Sequence, residues 1–216
     1  MDRDTRANLQ AAAQVLHYAL YHPPTELFLQ HLTSVHADQS WPPYCPAESP
    51  AAAIQQEALE QLGRALNLVS EDPSQLALLQ RDYQALFIGP GALKAIPWGS
   101  PYLHEKRQLC GPSTLALSQW LTAQGIELNL AQNEPVDHIG LLLSVVALLI
   151  HDPSRDDDLR ALLAQHLLPW STPMLAGMAQ QADTEFYRAI AGLTQALLLH
   201  LQHDLAVTPV AQRLYL

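Results

Sequence analysis

The 216-residue chain carries 21 Asp and Glu against 11 Lys and Arg, a net charge of −10, with 49% apolar and only 15% charged residues. Without a basic cluster, binding to nucleic acid through phosphates is not expected, whereas an acidic field favours a cationic partner. Two cysteines, Cys45 and Cys110, with no zinc-type spacing, exclude a disulfide-stapled secreted domain and a structural zinc. No apolar leader follows the N-terminus, and the longest apolar run, 139–150, is broken by Ser144 and falls well short of the roughly 20 residues that span a bilayer.

The periodicity is helical nearly throughout. Leu9, Ala12, Ala13, Leu16 and Leu20 form one apolar stripe. Pro23-Pro24 ends that helix, a short one is expected over 27–32, and four prolines make 34–50 a loop. An amphipathic helix resumes over 51–68. Asp72 as cap and Pro73 at the first helical position open another, running to about Phe87. Residues 114–124 form the next, ended by Gly125, and Pro135 opens one that runs to about His151. Ser154 is read as the cap of a helix with Asp156 and Asp157 in its first turn. Thr172-Pro173 and Thr184 are read as opening the last two. No stretch alternates with period two. The expected fold is all-α, a single globular helical bundle spanning 1–216, with the all-round apolar segments 139–150 and 189–201 at its centre.

Residues 87–113 break the pattern. About 25 residues without helical periodicity are unusual in a compact domain, and such loops are commonly functional or disordered. This one carries Ile88, Leu93, Ile96, Trp98, Tyr102 and Leu103, which disordered segments avoid. It is therefore expected to be ordered and to lie against the domain. Trp98 and Tyr102 either pin it to the core or line a groove for an apolar peptide.

Asp137 and His138 are expected in the first turn of the helix after Pro135. Neighbours at i and i+1 diverge on a helix, so they make a poor catalytic dyad. Asp137 either caps free amides there or meets an incoming guanidinium, with Glu134 as a second carboxylate. Gly89-Pro90-Gly91 lacks the Lys-Ser/Thr of a phosphate loop, and there is no Gly-x-Ser-x-Gly elbow. His200, His203 and Asp204 share a helix face, but helix-end and surface roles are the default for the ten histidines. No catalytic residue, metal or cofactor is expected.

Several separated segments together resemble the TorD/DmsD family of redox-enzyme maturation chaperones, closest to its DmsD-like branch. They are Leu86-Phe87-Ile88-Gly89-Pro90, Pro97-Trp98-Gly99-Ser100, Ser113-Thr114-Leu115-Ala116-Leu117, residues 132–140 with Asn133-Glu134-Pro135-Val136-Asp137-His138, His166-Leu167-Leu168-Pro169-Trp170-Ser171-Thr172, and Phe186-Tyr187-Arg188-Ala189. The resemblance implies an all-helical cytoplasmic chaperone, not an enzyme. Such a chaperone binds the twin-arginine signal peptide of a molybdoenzyme precursor, such as a dimethyl sulfoxide or trimethylamine N-oxide reductase, and delays its export until the cofactor is inserted. The client body and the translocase are further implied partners, and the family includes monomers and domain-swapped dimers. The alternative is a NarJ-like chaperone of the client body, independent of the signal. The peptide-binding residues implied are Trp98, Gly99, Ser100, Glu134, Pro135, Asp137 and His138, with Tyr83 and, more loosely, Tyr21. Phe87, Pro97 and Tyr102 belong to the same segments and are expected to join them. One departure is that His104-Glu105-Lys106-Arg107 stands where the DmsD-like pattern has an acidic residue followed by arginine, which places any basic role on Lys106 or Arg107 and points to a different client.

Overall fold

Leu9, Ala12, Ala13, Leu16 and Leu20 are fully buried, as a stripe at helical spacing demands. They lie on helix α1 (Arg3–Tyr21), which stops just before the proline pair. A computed structural model describes residues 1–128, 130 and 134–216; Gln132 and Asn133 of the motif above lie outside the described residues. In chain order follow α2 (Glu26–Ser34), α3 (Pro50–Glu71), α4 (Gln75–Tyr83), the short α5 (Ser100–Leu103), α6 (Pro112–Ala123), α7 (Ile139–His151), α8 (Asp156–Ala161), α9 (Leu168–Gln181) and α10 (Glu185–Asp204). Among the described residues there is no β-strand, only an isolated antiparallel bridge between Trp98 and His138. The all-α expectation holds.

The chain forms two compact units. The first comprises Met1–Tyr21, Pro97–Thr172 and Leu201–Leu216. Here α7 packs along α1, and ten of its thirteen residues are buried. The two helices run antiparallel. The ring of His17, late in α1, meets the carbonyl of Gly140, early in α7, at 2.8 Å. At the other end Arg6 donates to the carbonyl of Ile150 and pairs with Asp156 at 2.7 Å. Gly125, at φ +64°, follows the end of α6 and adopts the left-handed conformation that glycine accepts without strain.

The second unit comprises His22–Ile96 and Pro173–His200. Thr25 and Ser49 cap α2 and α3 through their hydroxyls. Asp72 does not cap α4 in the expected way. Its backbone N–H closes α3, its carboxylate accepts from the amide and hydroxyl of Ser74, and α4 starts at Gln75. Beyond α4 a π-helical turn, Gln84–Ile88, ends where the Gly89 N–H reaches the Gln84 carbonyl at 2.8 Å. Buried Asp82 accepts from the amides of Asp183 and Thr184 and from the Thr184 hydroxyl, tying α4 to the start of α10.

Two further helix starts differ from expectation. Pro173 lies inside α9, which begins at Leu168 directly after a π-helical turn, Leu162–Leu167. Ser154 sits in a short 3-10 turn and donates to Asp152, so Asp152 supplies the cap. The three aspartates in the first turn of α8 are placed as the helix dipole favours. Among the described residues no helix is long and apolar enough to cross a membrane, and no group of three or more His, Cys, Asp or Glu is placed to hold a metal ion.

Candidate functional site

The long loop folds as an ordered segment through its backbone. Gly99 N–H donates to the Asp137 carbonyl at 3.1 Å, and Ile139 N–H donates to the Pro97 carbonyl at 2.8 Å. This two-bond ladder brings residues 97–100 beside 137–139, although nearly 40 positions separate them in sequence.

Asp137 and His138 precede α7 and do not occupy its first turn, which corrects the expected placement. His138 is the N-cap, and its Nδ1 accepts from the Gly140 N–H at 3.0 Å. Asp137 turns the other way. Its Oδ2 accepts from the Ser100 N–H at 2.6 Å and from the Thr114 hydroxyl at 3.2 Å. Only 3% exposed, it fastens the start of α5 to α6 and so caps amides of a neighbouring element, not of its own helix. Asp137 also borders a small cavity lined by Gly99, Leu103, Ser113, Leu117, Gln165, His166 and Trp170. The two residues point apart, so they form no dyad.

A ladder of rings is built on His138. Trp98 meets it edge-on at 5.4 Å between centroids, Tyr21 meets it edge-on at 5.2 Å, and His17 stacks on Tyr21 at 5.7 Å. Such aromatic contacts add to the area they bury. A carbonyl only accepts, so His17 donates from Nδ1 to Gly140 while His138 accepts at Nδ1 from the same residue; the two imidazoles carry their protons on opposite nitrogens. Burial, with a smaller contribution from His17, pushes His138 down to about 3. It is neutral at any ordinary pH. The Tyr21 hydroxyl donates to Glu134 Oε2 at 2.9 Å, so a carboxylate stands at the edge of the ladder. Tyr21, Trp98, Glu134, Pro135 and His17 are all partly exposed.

The remaining expected residues have other surroundings. Ser100 and Pro97 are buried supports of the loop. Tyr102 stacks on fully buried Trp170 at 5.9 Å between centroids, which makes it a pin and not a groove wall. Tyr83 and Phe87 are buried in the second unit, edge-to-face at 5.2 Å and each close to the Tyr187 ring. Glu105, Lys106 and Arg107 are exposed. Sequence reasoning missed His17, whose signal was its i, i+4 spacing to Tyr21, and Thr114 and Gly140, whose partners lie far away in the chain.

Gly140 is required by space. A Cβ there would stand 2.8 Å from the Tyr21 Cβ and 3.1 Å from the Tyr21 backbone nitrogen. Gly140→Ala is expected to push α1 from α7 at Tyr21 and to cost about 1–3 kcal/mol, read as a lower urea midpoint with an unchanged m-value.

The described residues thus form an all-helical fold that tethers an ordered loop beside an aromatic and acidic edge. A family model described as nitrate reductase delta subunit matches residues 49–176, and the chain belongs to that family, which includes the TorD and DmsD chaperones. It is 34% identical over 206 residues to the Tat proofreading chaperone DmsD of Salmonella typhimurium, covering 95% of this chain and 94% of that one. It is 37% identical over 137 residues to a probable Tat proofreading chaperone DmsD of Haemophilus influenzae, covering 63% and 66%. It is also 31% identical over 212 residues to the chaperone protein TorD of a Psychrobacter species, covering 89% and 91%. The expected family is thus the observed one. These relatives are named as chaperones, in agreement with a chaperone role in redox-enzyme maturation and not an enzymatic one.

Proposed function

We propose that residues 1–216 act as one cytoplasmic chaperone domain that binds the twin-arginine signal peptide of a molybdoenzyme precursor and delays its export until cofactor insertion. The observation that carries this reading is the partly exposed Glu134 carboxylate, which accepts from the Tyr21 hydroxyl at the end of the ring ladder that runs through His138 to Trp98. A carboxylate fixed next to aromatic edges suits a guanidinium, which pairs with the charge and stacks on the ring. The acidic chain favours the encounter with such a cation. Asp137 has a different part: it is committed to Ser100 and Thr114 and keeps the loop in place for Trp98.

The test is calorimetry against synthetic twin-arginine signal peptides of molybdoenzymes from the same genome, each paired with a version carrying alanines for the two arginines. One peptide is expected to bind saturably. Glu134→Gln and Trp98→Ala are each expected to weaken it about tenfold, near 1.4 kcal/mol, and the alanine peptide is expected to be insensitive to Glu134→Gln. Failure of every peptide, alongside capture of a reductase lacking its signal, would move the reading to a chaperone of the client body.

A further inference from the structure

Helix α7 is apolar on nearly every face, yet Leu148 is 49% exposed. Beside it on the same flank stand the small or polar residues Ser144, Ala147 and His151, at helical spacing. A matching stripe on α1 consists of Gln10, Gln14, His17 and Tyr21. Between them runs an open furrow of about 390 Å³ lined by Gln10, Gln14, His17, Ser144, Ala147, Leu148 and His151. His17 belongs both to this furrow and to the ring ladder, because it stacks on Tyr21. The furrow is therefore continuous with the candidate site.

Two properties select an occupant. First, none of the seven lining residues is an acid, a lysine or an arginine, whereas Glu134 stands at the Tyr21 end. A segment with cations at one end and uncharged residues beyond them matches that order. Second, Ser144 and Ala147 present little side chain along the furrow, which lets another backbone come close, and Leu148 offers the apolar contact. From Gln10 to Tyr21 α1 advances about 16 Å at 1.5 Å per residue, room for roughly eleven residues of helix.

We infer that the α1–α7 furrow receives the uncharged apolar segment that follows the basic pair of the bound signal, with the basic pair at Glu134 and Tyr21. This rests on the signal-peptide reading above. It moves the apolar contact from Tyr102, which is buried on Trp170, to Leu148.

The test is a thermodynamic cycle with the full chain. The probes are the binding signal peptide and a version whose apolar segment is replaced by glycine and serine at equal length. The proteins are wild type, Leu148→Asp and Ser144→Trp, each verified as folded by circular dichroism. Leu148 and Ser144 are not buried, so both variants are expected to fold. In wild type the glycine–serine peptide is expected to bind at least tenfold more weakly. Leu148→Asp and Ser144→Trp are each expected to weaken the natural peptide by a similar factor and to leave the glycine–serine peptide almost unaffected, the non-additivity that direct contact produces. Natural-peptide binding unchanged in both variants overturns the furrow and leaves the Glu134 reading standing. Wild type that binds no signal peptide overturns both. A dimer in sedimentation that Leu148→Asp dissociates, with peptide binding unchanged, makes a second copy the occupant and also overturns the inference.

Discussion

Gly99→Ala is expected to be among the most damaging single-methyl changes in the protein, costing on the order of 3 kcal/mol. The residue sits at φ −72° and ψ −36°, a conformation open to any amino acid, so the reason is space alone. A Cβ there would stand 2.5 Å from Nε1 and 2.6 Å from Cε2 of Trp170. Trp170 has no way to yield. It is fully buried, its Nε1 donates to the His166 carbonyl at 2.7 Å, and Tyr102 is stacked on its ring. The alternative, moving Gly99, breaks its bond to the Asp137 carbonyl and displaces Trp98 with it. Urea unfolding should show a large drop in midpoint, and peptide affinity should fall with it. Gly177→Ala is the matched control. It lies within α9, and nothing stands within 4 Å of a Cβ there. That change is expected to stabilise by up to about 1 kcal/mol. Equal effects at the two glycines would sink the steric account.

The second large effect is in pH. His138 titrates at about 3 in the folded chain and near the ordinary value of about 6.5 when unfolded. Between these values the unfolded state binds a proton that the folded state refuses. Stability from this group is therefore fully present above about pH 6.5 and falls by about 1.4 kcal/mol per unit as the pH drops towards 3. Burial also lowers His166, which adds in the same direction. His138→Asn keeps an uncharged acceptor at the N-cap but has nothing to titrate. Its stability at pH 7 should be lower, because the ring contacts with Trp98 and Tyr21 are lost. Between pH 6 and pH 4.5 it should lose stability about one proton more gently than wild type. Parallel slopes would show that the imidazole is hydrated when folded, against the burial seen here.

Local rules carried the sequence reading furthest where one rule sufficed. The α1 stripe, the proline stop and the acidic first turn of α8 all follow from spacing and capping chemistry. Two of the failures share one cause: a proline was taken for the start of a helix. Pro135 precedes a turn, and the true cap is His138, a residue outside the common capping set. Pro173 lies within α9 because the preceding π-helical turn leads straight into Leu168, a continuity that no spacing rule reveals. The long loop was legible as ordered from its apolar content, but the separate fates of its aromatics were not. Trp98 and Tyr102 look alike in sequence. Only the packing of Trp170 against Tyr102, almost 70 positions later, settles which is a pin. The two carboxylates were likewise exchanged in emphasis. Asp137 has backbone and hydroxyl partners that come from α5 and α6, while Glu134 is left at the edge with Tyr21.

The antiparallel match of α1 with α7 also sets a timetable for synthesis. The stripe Leu9, Ala12, Ala13, Leu16 and Leu20 is made before its covering helix, which is anchored at Gly140 opposite His17 and follows more than 120 residues later. At translation rates of about 5–20 residues per second, that apolar face waits on the order of ten seconds for its mate. During that interval the nascent chain of a chaperone is itself exposed to wrong associations. The polar flank of α1, with Gln10 and Gln14, lies beside that apolar stripe, and it becomes one wall of the furrow once α7 arrives.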